Sequence, residues 1–208
     1  FNIQALSVAL VIMSSSVCTT DKDDCKKGEQ DGWVLSTAEA MVFVGAITGQ
    51  LSMGYLGDAL GRSPALKITL SCVGIGALGS GLLSLGDATS IYAVIILFRF
   101  ILGIGVGGVY PLSATKAAED AAVSGSDEVN SIASAKVFFW QAPGQTIPSV
   151  IGLAMAYSDI STELKWRLML AVGAIPAFIV VALSVVEERI LAARDADNKK
   201  NLSAAEVV

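Results

Sequence analysis

The chain has 208 residues, of which 53% are hydrophobic and only 16% charged, with a mean hydropathy of +0.65. A soluble domain carries about 25% charged residues, so this composition belongs to a chain that keeps much of its surface out of water. The net charge of −5 argues against a nucleic-acid surface, and the absence of histidine excludes His-based catalysis and His-ligated metal sites.

A membrane-spanning helix needs about 20 mostly apolar residues. Six stretches answer to this: 1–17, 35–56, 65–85, 90–112, 131–157 and 166–186. The first starts as helix interior, at Phe1 rather than Met, and reads as a helix cut short at its start. The connections alternate in character. Loop one (18–33) is long and charged, loop two (57–64) tight, loop three (86–89) four residues long, loop four (113–130) acidic, and loop five (158–165) short. A charged, Ala-rich tail follows from Glu187. The expected fold is all-α and integral to the membrane, with six helices over 1–186 and the start of a cytoplasmic connecting segment over 187–208.

Lysine and arginine bias sets the expected orientation. Loops two and four and the tail, with helix residues beside them, hold Arg62, Lys67, Lys116, Lys136, Arg189, Arg194, Lys199 and Lys200. The opposite side holds Lys22, Lys26, Lys27, Lys165 and Arg167. Loop two and the tail are therefore placed in the cytoplasm and loop one outside, where Cys18 and Cys25 either bridge or remain two free thiols. The third cysteine is Cys72, and no pair forms a CxxC, so no metal or cofactor is expected.

The second connection reads Gly54-Tyr-Leu-Gly57-Asp58-Ala-Leu-Gly61-Arg62-Ser63. Its glycines are expected to permit a tight turn. Asp58 and Arg62 lie where charge is tolerable and where a carboxylate can pair with a cation or a helix N-terminus. The pattern resembles the signature loop of the major facilitator superfamily, with Ala59 and Ser63 in place of two basic residues. The resemblance implies an N-terminal six-helix half, built as a 3+3 inverted repeat, of a twelve-helix secondary transporter. It also implies a gating role for Gly54, Gly57, Asp58, Gly61 and Arg62, a missing C-terminal six-helix half as partner, and no enzymatic activity.

Helix four carries Arg99, Gly103, Gly105, Gly107, Gly108, Tyr110 and Pro111. An arginine deep in lipid is a functional residue by default, and at 100° per residue Arg99, Gly103, Gly107 and Tyr110 share one face. Glycine packing with Arg99 held by a carbonyl or a carboxylate is the alternative reading of that face. The stretch 99–115 is similar to helix four of the phosphate:proton symporter branch, and so are Val137-Phe-Phe-Trp-Gln141-Ala-Pro-Gly144 and Trp166-Arg-Leu-Met-Leu-Ala-Val-Gly173. By that resemblance Tyr110 and Gln141 hydrogen-bond phosphate, a small anionic solute. Gln145, one turn further on, contacts either the same ligand or another helix.

The chain departs from that branch at Val109 and Asn2, where acidic residues are expected. Neither side chain titrates, so the coupling ion, proton or sodium, is left open. Pro143, Pro148 and Pro176 are expected to break helices five and six. Lys136 either draws an anion toward Gln141 or snorkels to the membrane surface. The alternatives to phosphate uptake at the plasma membrane are a sugar or organic-ion carrier of the same superfamily and a non-transporting, receptor-like relative.

Overall fold

A computed structural model describes residues 1–14, 17, 32–122, 135, 139 and 141–205. Cys18, Cys25, Lys136 and most of loops one and four lie outside the described residues. The described helices are α1 (Asn2–Met13), α2 (Gly32–Leu60), α3 (Arg62–Leu82), α4 (Ala88–Ala122), α5 (Gln141–Ala156), α6 (Thr162–Val172) and α7 (Ala174–Ala205). Four stretches are long and apolar enough to cross a bilayer: Ser36–Leu60, Arg62–Leu82, Ala88–Lys116 and Thr162–Ile190, the last combining α6 with the start of α7. The shorter α1 and α5 complete the six predicted apolar segments.

Two helices continue past the apolar runs that marked them in the sequence. Loop two shrinks to Gly61, because α2 continues through Gly57 and Asp58 to Leu60. Of the three loop glycines, only Gly61 has the backbone that the turn reading required, at φ 93° and ψ 159°. Gly54 and Gly57 are ordinary helix residues. A side chain at Gly54 would meet nothing within 4 Å, whereas one at Gly57 would strike Leu112. In the same way α4 runs through Pro111 to Ala122, absorbing the first part of the predicted loop four, where Ala, Lys and Glu favour helix. The predicted sixth helix breaks at Gly173 and resumes to Ala205. Pro176 does not itself interrupt a helix. It stands in the first turn of α7, where a missing N–H leaves no intrahelical bond unmade.

α4 packs against α2 and α3, α1 against α5 and α6, and α3 against α6 and α7. Exchanging α1 with α4, α2 with α5, and α3 with α6–α7 maps this set of contacts onto itself, as a 3+3 repeat requires. The α2–α4 crossing is made by two reciprocal GxxxG pairs, Gly45 and Gly49 against Gly103 and Gly107. Added Cβ atoms at Gly49 and Gly107 would lie 2.8 Å from Ile104 Cα and 2.7 Å from Ala46 Cα. Small residues at this spacing let two backbones touch, which is how helices gain dispersion energy where lipid removes the hydrophobic drive.

The core lies along α1, whose buried residues Asn2, Ala5, Leu6, Ala9, Leu10 and Met13 follow helical spacing. They meet Trp166, Met169 and Leu170 of α6 and Ile95 and Leu102 of α4. Outward faces are equally apolar: Val11, Leu51, Tyr55, Leu153 and Leu183 are all exposed. A helix apolar on every side is a membrane helix, and contiguous exposed apolar surface has no other stable solvent than lipid or another apolar protein face.

Arg167, midway along α6, ties that helix to the end of α3. Its guanidinium donates to Gly81 O at 3.3 Å and Ser84 O at 2.7 Å, beyond which α3 has no further turn. It also pairs with Glu163 at 2.9 Å and lies 4.7 Å from the Trp166 ring centroid. A cation on the last carbonyls of a helix complements its dipole. At the opposite end Glu188 of α7 accepts from Ser63 at 3.1 Å and from Lys67 of α3. The charged tail is thus anchored where it leaves the bundle.

Candidate functional site: a cavity between α1, α4, α5 and α7

The break at Gly173 opens the middle of the bundle. Asn2 fills the space beside Gly173, where any added Cβ would collide with the Asn2 side chain. Asn2 Nδ2 donates to Gly173 O at 3.2 Å, so the two breaks in helical regularity, at the start of α1 and between α6 and α7, meet. A cavity of about 680 Å³ extends from this junction. Its polar wall is Asn2, Gln4, Tyr110, Ser113 and Gln145, and apolar residues including Phe43, Val109 and Val180 form the rest. Among the described residues no Asp, Glu, Lys or Arg lines it.

Tyr110 lines this cavity together with Gln145, whose sequence reading was open between the ligand and another helix. Tyr110 is 38% exposed, enough to present its phenol to a solute. The Gln141 backbone opens α5 one turn before Gln145, and its side chain lies outside the described residues. The wall offers a phenol O–H, an amide and a hydroxyl, which together give several donors and acceptors without a fixed charge. Pro148 lies inside α5, while Pro143 falls in its first described turn.

Arg99 is not part of the wall. It is fully buried, donating from Nη1 to Asn2 O at 3.3 Å and from Nη2 to Ser80 Oγ at 3.0 Å. The face drawn through Arg99, Gly103, Gly107 and Tyr110 is thus divided among three tasks. Arg99 holds α1 to α3, the glycines meet α2, and Tyr110 reaches the cavity. Asn2 itself was legible in the sequence only as a lost acid. Its role as cavity wall and as partner of both Gly173 and Arg99 depends on tertiary contacts that local spacing does not reveal.

Asp58 and Arg62 form an ion pair at 2.6 Å across the Gly61 turn, with Asp58 71% exposed. The carboxylate is held at the end of α2 and open to a further partner. Cys72 is a half-buried free thiol on α3. Among the described residues no group of acidic or cysteine side chains is placed to hold a metal.

A six-helix bundle with a central cavity and a charged turn after its second helix defines one half of the major facilitator superfamily fold. Two structures of the xylose transporter XylE from E. coli, inward open and partially occluded, superpose with a TM-score of 0.73 at 21% and 22% identity. They cover 89% of this chain and 44% and 46% of theirs. Residues 1–189 match the family described as sugar (and other) transporter, and the chain belongs to that family. It is 35% identical over 199 residues to inorganic phosphate transporter PT2 of Toxoplasma gondii, a match covering 94% of this chain and 34% of that protein. It is 33% identical over 175 residues to low affinity inorganic phosphate transporter 4 of Lotus japonicus, covering 76% and 32%. The chain thus spans about a third of the length of these relatives.

Proposed function

We propose that this chain is the N-terminal half of a secondary transporter that moves inorganic phosphate across the plasma membrane by alternating access. Residues 1–186 form the six-helix half, and 187–208 begin the cytoplasmic segment leading to a second half. The observation that carries this reading is the cavity itself. It gathers Tyr110 and Gln145 with Asn2 at the level where α6 breaks, in a chain resembling phosphate transporters at 33–35% identity. Tyr110, Gln141 and Gln145 donate to phosphate oxygens. Asp58, already paired with Arg62, latches this half to the other in one conformation and releases it in the next. The signature loop and tail face the cytoplasm.

Among the described residues the cavity wall has no carboxylate. Where transport is coupled to a proton or sodium ion, that ion is held by the other half. Tyr110→Phe and Gln141→Ala in the full-length protein each remove one hydrogen bond to an anion, a loss of about 1.5–3 kcal/mol or roughly ten- to a hundredfold in affinity. Wild-type uptake kinetics in both variants would exclude this site.

A further inference from the structure

Two of the polar side chains in the cavity wall are already engaged within the protein. Asn2 Nδ2 donates to Gly173 O at 3.2 Å, and Asn2 Oδ1 is buried against Gly173. Ser113 Oγ donates to Tyr110 O at 3.2 Å. Gln4, Tyr110 and Gln145 differ from these: among the described residues their side chains make no hydrogen bond. The three come from three different helices, α1, α4 and α5.

Gln4 stands apart from the rest of its own helix. Apart from Asn2, Gln4 and Ser7, α1 is apolar. Its buried residues Asn2, Ala5, Leu6, Ala9, Leu10 and Met13 form one side. At about 100° per residue Gln4 falls on the opposite side, and it is exposed, as is Val11 nearly in line with it. The packing of α1 on α5 gives the level at which Gln4 stands. A Cβ at Gly144 would lie 3.7 Å from Phe1 N, and Gly152 faces Val8. Gln4 lies between these two contacts, so along the paired helices it is within one turn of Gln145.

An amide inside a membrane bundle is unfavourable unless it finds a hydrogen-bond partner. A solute in the cavity is such a partner. Phosphate oxygens accept from the amide N–H groups, and hydrogen bonds to a charged group are the stronger kind. The amide oxygen can in turn accept from a P–OH group. We infer that Gln4 is a further phosphate-binding residue: with Tyr110 and Gln145 it completes a grip on the anion from three helices, and α1 supplies one of the amides. The inference rests on the phosphate reading and deepens it by adding α1 to α4 and α5 as a substrate-binding helix. Because the Gln4 side chain makes no hydrogen bond among the described residues, replacing it removes none from the folded half. Its loss is felt by the ligand.

The experiment uses the purified full-length protein. Binding of labelled inorganic phosphate is measured in detergent, uptake in lipid vesicles, and Tm in the absence of phosphate. Gln4→Leu keeps the bulk of the side chain and removes its amide. It is expected to weaken phosphate binding roughly ten- to a hundredfold, the loss of one hydrogen bond to an anion, without lowering Tm. Gln4→Glu keeps the shape and adds a negative charge, and is expected to weaken binding further; it serves if Gln4→Leu fails to fold. Wild-type phosphate affinity in a folded Gln4→Leu or Gln4→Glu protein overturns the inference. If uptake then slows at unchanged affinity, Gln4 belongs to a contact with the second half. A loss of affinity accompanied by a fall in Tm also overturns it, because the amide would then be holding the fold. Each of these results leaves the phosphate reading intact, since Tyr110→Phe still tests that separately. A wild-type protein that accumulates a hexose and no phosphate overturns both.

Discussion

The α2–α4 contact makes a sharp prediction because two glycines of the same helix differ so plainly. At Gly49 an added methyl would lie 2.8 Å from both Ile104 Cα and C, atoms of a facing backbone that cannot rotate away. At Gly54, five residues later, it would meet nothing within 4 Å. Alanine gains about 1 kcal/mol over glycine in a helix interior, and that gain is common to both sites. Forcing a carbon into a rigid contact costs about 1–3 kcal/mol, and a backbone neighbour places Gly49 at the upper end. Gly49→Ala is therefore expected to destabilise by about 1–2 kcal/mol net, and Gly54→Ala to stabilise by up to about 1 kcal/mol. For a unit of this size each kcal/mol moves Tm by about 2–4 °C. Thermal unfolding of the purified full-length protein in detergent, followed by tryptophan fluorescence, reads both shifts. Equal shifts of the same sign would refute the reasoning, because the glycine spacing would then be incidental to the crossing.

Two further outcomes follow from Arg167 and from the first loop. Arg167→Ala leaves the carbonyls of Gly81 and Ser84 without their donor and is expected to cost about 1.5–3 kcal/mol. Arg167→Lys recovers only part of this, because one ammonium cannot span two carbonyls and Glu163 as a planar fork does; the same thermal assay compares the two. If Cys18 and Cys25 are bridged, neither is modified by a thiol reagent until reductant is added. Labelling of both without reductant contradicts the bridge.

How far the sequence revealed this protein depended on how local each signal was. Six apolar runs and the Asp58–Arg62 loop were legible, because spanning length and a turn signature are written in consecutive residues. The helix ends were not, since Ser113–Ala122 lack the apolar run yet contain good helix formers, and Gly57–Leu60 stay helical although Gly and Asp are poor ones. The resemblance paired Tyr110 with Gln141, and Gln145 entered only as the residue one turn further on; it is Tyr110 and Gln145 that line the cavity. Gly45 and Gly49 stood in the sequence at the right spacing, but a GxxxG pair gains meaning only when its partner, Gly103 and Gly107, is known to face it. Asn2 shows the limit most clearly. Read alone it was an acid that had disappeared, whereas in the fold it seals the Gly173 break, holds Arg99 and lines the cavity.

The central claim is that this half belongs to a phosphate carrier, and uptake by vesicles containing the full-length protein tests it most directly. Labelled inorganic phosphate and a labelled hexose are offered in parallel, each competed with an excess of its unlabelled form. The account predicts saturable phosphate accumulation and no saturable hexose uptake. Saturable hexose uptake without phosphate uptake would contradict it and assign the cavity to a sugar, and no uptake of either would point to a receptor-like relative.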